Sequence, residues 1–338
     1  MNSINTNFAA LTALQSLNQT NSSMLETQSR IATGLRINSA SDGAAYWSMA
    51  TTMKSDSSAL SAVSDALGLG SATLDVAYTA MSSSIDVVSE IKSKMVAARE
   101  PGVDRAKVQT EIDALQDQLR GIAQSASFSG ENWISVDTGY AASGYNATEE
   151  VIASFNRTGT TATLGTIDVA VSSAYLFNAN TNGSGGAGSA TAVQLGLLGS
   201  ERMTATEAAG AGAEAGAIHT GAGTGSIILA SYDGTSEMSI ATATDAEMDD
   251  YIQAADRAVS DMTTAATQLG AAKSRIDLQK DFTSSLMASI ERGVSSLIDA
   301  DMNEESTRLQ ALQVQQQLGI QALSSANSSS QNILALFS

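Results

Sequence analysis

Two glycine-rich runs are the first candidates for a chemical site, because glycine loops can hold phosphate groups against backbone N–H groups. They occupy residues 210–216 and 221–225 and read GAGAEAG and GAGTG. Neither has the G-x-G-x-x-G spacing of a dinucleotide-binding loop. The second run precedes a predicted strand, whereas a phosphate loop follows a strand and opens a helix. We therefore interpret both runs as low-complexity loops.

His219 is the single histidine of the chain and lies between these two runs. A metal site needs further nitrogen, sulfur or carboxylate ligands, and a general base needs a partner that orients it. The chain has no cysteine, and no paired carboxylates stand near His219. The sequence therefore predicts no catalytic residue, no cofactor site and no metal site, and hence a protein that is not an enzyme.

The charge balance argues against two classes of partner. The chain has 35 acidic and 17 basic residues and a net charge of −18, whereas binding to nucleic acid depends on clustered lysine and arginine. Apolar runs such as residues 227–230 are far shorter than the roughly 20 residues that cross a bilayer, so no membrane insertion is predicted. The first seven residues contain no basic stretch followed by an apolar one, which argues against a general secretory signal peptide.

Two apolar stripes with helical spacing stand at opposite ends of the chain and predict helices over residues 4–36 and 301–337. An isolated helix of this kind needs a partner to cover its apolar side. The N-terminal stripe consists of Ile4, Phe8, Leu11, Leu14, Leu17, Leu25, Ile31 and Leu35, and the C-terminal stripe of Leu309, Leu312, Leu318, Leu323, Ile333, Leu334 and Phe337.

Three further helices are predicted between these ends. One runs from Ala44 to Arg99 and stops at the Pro101–Gly102 turn, and the next begins at Arg105 behind Asp104 as its N-cap. A third covers residues 248–294 and follows a capping box at residues 244–247. Residues 137–245 hold most of the 27 glycines and no lysine, with strands predicted at 166–171 and 226–229. We interpret this segment as an inserted, partly β domain.

The two ends carry sequences that resemble the flagellin family. Residues 3–7 read SINTN and residues 30–42 read RIATGLRINSASD, which is similar to the family's N-terminal signature. Residues 305–318 read ESTRLQALQVQQQL and resemble its C-terminal signature, with an apolar finish, ILALF, at 333–337. Residues 42–50, DGAAYWSMA, look like the rhizobial, alphaproteobacterial type. The resemblance covers roughly residues 1–136 and 246–338.

The resemblance implies a mainly α fold, in which paired N- and C-terminal helices form a coiled coil and an α-rich rod, with an inserted α+β or β-rich outer domain. Residues 1–42 and 299–338 are then the terminal coiled-coil domain lining the filament channel. Residues 43–136 and 246–298 form the rod, and residues 137–245 form the surface-exposed outer domain. We expect the protein to be secreted and to assemble into the bacterial flagellar filament for swimming motility.

The expected partners also follow from the resemblance. The first is the protein itself, in a polymer of one or several flagellins, held together by burial of the two terminal stripes between subunits. The filament cap, the hook–filament junction proteins, the flagellar export chaperone and the export gate are implied as well. Arg30 and Arg36, beside the N-terminal signature, are either solvated or paired with acidic groups of a neighbouring subunit.

Three alternatives to a filament subunit remain open at this point. A hook–filament junction protein would share the terminal helices, although both signatures and the insertion favour a filament subunit. The other two are a hydrolase in the insertion and a membrane-active exported protein, for which we find neither a catalytic constellation nor enough lysine and aromatic residues.

The resemblance also allows a prediction about recognition by Toll-like receptor 5. Many flagellins present the pattern Gln-Arg-Val-Arg-Glu-Leu on the rod helix that corresponds here to residues 89–99. This chain has Glu90 in place of the first arginine, Ser93 in place of the glutamate and Lys94 in place of the leucine. Because this reverses the charge of an interface contact, we expect weak or absent activation of the receptor.

Overall fold

Helices dominate the described part of the chain. The computed structural model describes residues 7–136, 148–159, 161–178, 197, 198, 229 and 238–335, and of residues 329–335 it describes the backbone alone. Helices account for 74% of these residues, which confirms the predicted mainly α fold. Both glycine-rich runs, His219 and the strand predicted at 226–229, apart from Leu229, lie outside the described residues.

Five helices follow one another along the chain and match the predicted ones closely in extent. They are α1 Phe8–Thr33, α2 Ala40–Ala98, α3 Arg105–Ser125, α4 Asp245–Ile298 and α5 Met302–Ala335.

Local capping signals explain where these helices begin and end. The Asn7 side chain accepts a hydrogen bond from the backbone N–H of Ala10 at 3.0 Å and starts α1. Gly34 ends that helix in the left-handed conformation, with φ 72°, which glycine adopts without steric cost. The predicted N-cap of α3 is present, since Asp104 accepts from the N–H of Ala106 at 3.2 Å. At the start of α4, the Thr244 N–H donates to Glu247 Oε2 at 2.6 Å in the predicted capping box.

Helix α2 is kinked near its start, where Gly43 has non-helical backbone angles. Just before the kink, Asp42 Oδ2 accepts from the backbone N–H groups of Ser39 and Asn38, at 2.9 and 3.1 Å. The N–H and hydroxyl of Ser39 and the N–H of Asn38 stabilise the charged form and lower the pKa of Asp42. The sequence predicted the helix only from Ala44, which is the start of the segment after the kink.

The strands form two small sheets. Strands β2 (Thr148–Thr158) and β3 (Thr161–Ala170) pair antiparallel, from Thr148 opposite Ala170 to Thr158 opposite Thr161, with a bulge between Ile152 and Ser154. The short strands β1 (Ser135–Val136) and β4 (Phe177–Asn178) pair in parallel. The strand predicted at 166–171 therefore lies largely within β3, whereas its partner β2 was not identified from the sequence.

The chain divides into two compact units: Met1–Ala59 with Ser285–Ser338, and Leu60–Ser284. In the second unit, one continuous series of buried positions on α2 alternates between spacings of three and four residues. This is the period of a coiled coil. The members of this series are Leu60, Val63, Leu67, Gly70, Leu74, Ala77, Met81, Ser84, Val88, Ile91, Met95 and Ala98. Thr73, Ala80 and Val87 are buried beside it.

An ion-pair network joins α2, α3 and α4 within this second unit. Arg99 donates from Nε and Nη2 to the two carboxylate oxygens of Asp249, at 2.9 and 3.1 Å, and its Nη1 lies 3.1 Å from Asp245. Asp245 also accepts from Arg105 at 2.5 Å. The hydrogen bond from Arg105 and the charge of Arg99 lower the pKa of Asp245, and Arg99 likewise lowers the pKa of Asp249. The start of α4 is thereby held against the end of α2.

We predict opposite effects for alanine at Gly68 and Gly70 of α2. A Cβ atom at Gly70 would lie 2.5 Å from Cγ1 of the buried Val151 of β2, whereas nothing lies within 4 Å at Gly68. Gly70→Ala should lower the free energy of unfolding by about 1–3 kcal/mol through overpacking. Gly68→Ala should raise it by up to about 1 kcal/mol, because alanine favours the helix.

Urea unfolding of the two variants, followed by circular dichroism, tests this prediction. Equal changes of the same sign in the free energy of unfolding would show that β2 does not pack on α2 at Gly70.

Candidate assembly surface on the terminal helices

Helices α1 and α5 pair antiparallel within the first unit. Asn7 donates from Nδ2 to the carbonyl of Ala326 at 2.9 Å, and Gln316 donates to Asn21 Oδ1 at 2.8 Å. Further along, Arg30 Nη1 donates to Glu305 Oε1 at 3.2 Å. Residue numbers therefore rise on α1 as they fall on α5, as an antiparallel pair requires.

The surfaces that meet are narrow seams with coiled-coil spacing. On each helix, positions three and four residues apart in alternation are shielded by the partner. The α1 seam is Ala10, Ala13, Leu17, Thr20, Met24, Thr27 and Ile31, and the α5 seam is Glu305, Leu309, Leu312, Gln316, Gly319, Leu323 and Ala326.

Small residues let the two seams approach closely. A Cβ atom at Gly319 would lie 3.3 Å from Cδ1 of Leu17, so the leucine side chain occupies the space that glycine leaves. Threonine, glutamine and alanine fill much of the remaining seam. The seam consequently buries fewer large apolar side chains than the core of the second unit.

The loops beyond the seam hold α1 and α5 to the neighbouring helix ends of the same unit. Gly34 accepts at its carbonyl from the N–H of Ala300 at 2.9 Å, and the N–H of Arg36 donates to the carbonyl of Ile298 at 2.7 Å. A small core of Ile37, Ala50, Val294 and Ile298 lies beside these hydrogen bonds. Leu35 packs against this core and forms an isolated antiparallel β-bridge with Asp299.

A buried ion cluster closes one end of the seam. The side chain of Glu305 is only 6% exposed, and its Oε1 atom lies 3.2 Å from Arg30 and 3.6 Å from Arg308. Glu26 accepts from Arg30 at 2.5 Å. Partial burial acts to lower the pKa of Arg30, but its hydrogen bond to Glu305 and the charges of Glu26 and Glu305 outweigh it and raise that pKa.

The buried carboxylate of Glu305 therefore needs a base opposite it, but the resulting ion pair is not a large source of stability. Its second oxygen, Oε2, has no hydrogen-bond partner in the described part of the chain, and removing a carboxylate from water costs free energy. The acidic partners of Arg30 belong to its own chain. Arg36 is exposed and donates from its guanidinium to the carbonyl of Leu297 at 3.0 Å.

Most of the predicted assembly residues fall into two groups in the structure. Leu17 and Ile31 of α1 and Leu309, Leu312 and Leu323 of α5 lie in the seam between the helices of one chain. A second group of apolar residues is exposed: Phe8 67%, Leu11 55%, Leu14 46%, Leu25 65% and Leu318 59%. Leu35 belongs to neither group, because it packs against the small core around Ile37. Ile4 and Phe337, and the side chains of Ile333 and Leu334, lie outside the described residues.

Two apolar faces therefore remain uncovered beside the seam. One, which we call the α1 flank, consists of Phe8, Leu11, Leu14 and Leu25. The other, the α5 back face, is formed by Val314 (55% exposed) and Leu318 and lies on the side of α5 away from its seam. No charged residue occurs in 1–25 or 309–338, so neither face contains a charge.

Sequence reasoning missed several residues that shape this surface. Glu305 and Thr27 are buried polar residues in the seam, and their positions in the three-and-four spacing with Leu309 and Ile31 are the signal that could have identified them. Val314, four residues before Leu318, was not included in the C-terminal stripe.

The described residues contain no group of three or more histidine, cysteine, aspartate or glutamate side chains that could hold a metal ion. Among the same residues, no helix combines the length and the apolar character needed to span a membrane.

Two matches to known families cover both ends of the chain. Residues 4–138 match the bacterial flagellin N-terminal helical region, and residues 252–337 match the bacterial flagellin C-terminal helical region. The chain belongs to the bacterial flagellin family. This flagellin is therefore a structural subunit of the flagellar filament, which serves motility and forms by self-polymerisation.

Similar proteins match over the full length of this flagellin. Flagellin A of Rhizobium meliloti is 46% identical over an alignment of 398 residues that covers 100% of both chains. Flagellin C of Rhizobium meliloti is 46% identical over 341 residues, covering 100% of this chain and 99% of the relative. A flagellin of Brucella melitensis is 40% identical over 338 residues, with the same coverage.

We predict that Arg30→Met destabilises the pairing of α1 and α5 by about 3 kcal/mol, because it leaves the buried Glu305 carboxylate without its closest base. Arg308→Met is the matched control. Arg308 is 48% exposed and contacts Glu304 and Glu305 at 3.4 and 3.6 Å, so its loss should cost less than about 1 kcal/mol.

Thermal unfolding of the full chain, followed by circular dichroism, measures both effects. Similar losses in the two variants would show that burial of Glu305 does not set the energetics of this cluster.

Proposed function

We propose that this flagellin joins its neighbours by burying the α1 flank and the α5 back face between subunits, together with the remaining predicted assembly residues at the chain ends. The observation that carries the proposal is the exposure of Leu11, Leu14, Leu25 and Leu318 on helix segments that contain no charged side chain, residues 8–25 of α1 and 309–335 of α5. Leucines that stay exposed to water on a helix already paired with its partner do not contribute to packing within the chain. Their burial between subunits supplies the driving force for assembly.

The free energy gained by burying these apolar faces is large enough to drive assembly. Burial stabilises by about 25 cal/mol per Å² of apolar surface. A few hundred Å² at each contact then gives several kcal/mol, which offsets part of the rotational and translational entropy lost on assembly. Repetition of the same contact along a filament offsets the remainder of this entropy.

The domain arrangement that we propose follows the family. Residues 1–42 and 299–338 surround the channel, residues 43–136 and 246–298 form the rod, and residues 137–245 face the medium. The filament lies outside the cell. This flagellin has no catalytic role in the arrangement, and its further partners are the filament cap, the junction proteins, the export chaperone and the export gate.

Seeded polymerisation tests the role of the α1 flank. In the triple variant Leu11→Gln, Leu14→Gln and Leu25→Gln, glutamine keeps the helix propensity of leucine but removes its apolar surface. Each substitution removes about 1.5 kcal/mol or more of burial, so the critical concentration should rise at least about tenfold. The matched control is Leu164→Gln on β3, where the leucine is 61% exposed.

Sedimentation and negative-stain microscopy give the readout. Normal filaments from the triple variant at the usual concentration would overturn the proposed contact, and equal loss in the control would show a general solubility effect.

The α2 surface supports the expectation of weak Toll-like receptor 5 activation. Glu90 and Ser93 are exposed, and Lys94 is held by an ion pair with Glu111 at 2.7 Å. We expect little activation by the unmodified chain in a receptor reporter assay. The double variant Glu90→Arg and Ser93→Glu should restore part of it, because it removes the reversed charge. Full activation by the unmodified chain would contradict this prediction.

A further inference from the structure

Helix α3 carries a polar side chain at a position where a core helix usually carries an apolar one. Gln116 is fully buried and shares the buried side of α3 with Ile112 and Leu119. Its Nε2 atom donates to the main-chain carbonyl of Leu229 at 2.7 Å. Because a buried amide costs free energy unless it is hydrogen-bonded, the contact with Leu229 accounts for a glutamine at this position.

Gln109, two turns earlier on the same helix, makes a second contact of this kind. Its Oε1 atom accepts from the main-chain N–H of Ile240 at 2.6 Å. Its Nε2 atom donates to Asp113, one turn further along α3, at 2.6 Å. The hydrogen bond to Asp113 orients the amide group, so that its oxygen faces Ile240.

These hydrogen bonds hold a stretch of main chain that leads into α4. It consists of Leu229 and residues 238–243, and we call it the strap. Leu229 contacts α3 at Gln116, and Ile240 contacts it at Gln109. The strap and the helix therefore run antiparallel. The last contact lies at the start of α3, so the strap follows about 16 Å of the helix at 1.5 Å per residue.

Arg105 makes that last contact and connects the strap to α4. It donates to the main-chain carbonyl of Ala243 and also to Asp245, the first residue of α4. A third hydrogen bond joins it to the carbonyl of Ala98 at the end of α2, at 3.3 Å. One guanidinium group thus ties the end of the strap to the ends of two helices.

We propose that α3 is a docking site for the main chain of the strap, and that this site fixes where the inserted segment returns to α4. The hydrogen bonds from Gln109, Gln116 and Arg105 end on main-chain atoms of the strap, which nearly every sequence offers. The side chains of the strap add one requirement. Met238 and Ile240 are buried while Ser239 between them is exposed.

The ligand that fits this site is therefore a non-helical segment with apolar residues two positions apart. Main-chain hydrogen bonds supply the affinity, and the alternate side chains supply the selectivity, as in peptide recognition by strand addition. The sequence of the strap can change without loss of docking, provided that these two positions stay apolar.

Two kinds of variant separate main-chain recognition from apolar packing. The double variant Gln109→Met and Gln116→Met keeps side-chain length and packing but removes both amides. Its matched control is Gln118→Met, at an exposed position of the same helix.

The second kind of variant changes the strap and leaves α3 intact. It combines Met238→Leu, Ser239→Thr, Ile240→Val and Ala241→Ser, so that the two buried positions stay apolar with little change of volume.

Hydrogen exchange of the full chain, read at the N–H of Ile240, gives the outcome. Exchange should be about tenfold faster or more in the double variant, since this N–H loses its acceptor and opens locally, while α2 stays protected. The Gln118→Met control should match the unmodified chain, and the strap variant should stay within about threefold of it.

Unchanged exchange in the double variant would overturn the proposal, because apolar packing alone would then hold the strap. Equal acceleration in the strap variant would overturn it as well, since the site would then recognise side chains. If the double variant loses its helical circular dichroism, the single variant Gln109→Met, at a half-buried position, replaces it with the same expected result.

Discussion

The alternating three- and four-residue spacing of buried positions is the constraint on which the long helices of this flagellin depend. Such a seam is narrow, so a helix that carries it is stable only against a partner. In the second unit, the α2 seam from Leu60 to Ala98 lies in a core of large apolar side chains. In the first unit, α1 and α5 meet through alanine, threonine, glutamine and Gly319, with fewer large side chains between them.

The sparse seam of the first unit explains why apolar surface is left over. Leu11, Leu14 and Leu25 are as large as Leu17, but they lie outside the seam and stay in contact with water. Exposed leucines such as Leu11 and Leu14, in a segment without charged side chains, are poorly suited to a free protein surface and well suited to contact between subunits. The ion cluster of Arg30, Glu26 and Glu305 lies at the opposite end of the helical pair from the hydrogen bond between Asn7 and Ala326. The ion pairs and most of the exposed apolar side chains therefore occupy different parts of the same two helices.

Much of the fold follows from short-range signals. Asp104 and the Thr244–Glu247 capping box act within four residues, and they begin α3 and α4 close to where the sequence predicts. Asn7 and Gly34 bound α1 at Phe8 and Thr33, a few residues inside the predicted range 4–36. The sequence was less successful in assigning the residues of each terminal stripe to one side of the helix. A helical period alone does not distinguish a seam from an adjacent face, so Leu318 was combined with Leu309 and Leu312 although it lies on the other side of α5. Glu305 was overlooked as a seam residue because a charged side chain at a buried position depends on a base that is distant in sequence.

The sequence by itself determined the family, the helical ends and the inserted segment, because signatures, caps and periodicity are properties of neighbouring residues. Only the tertiary structure decided which side of each terminal helix is shielded within the chain and which side stays exposed. That choice depends on contacts between residues 275 to 319 positions apart, such as Arg30 with Glu305 and Asn7 with Ala326. No local pattern contains this information, since the register of two helices is set by how large and small side chains fit across their seam.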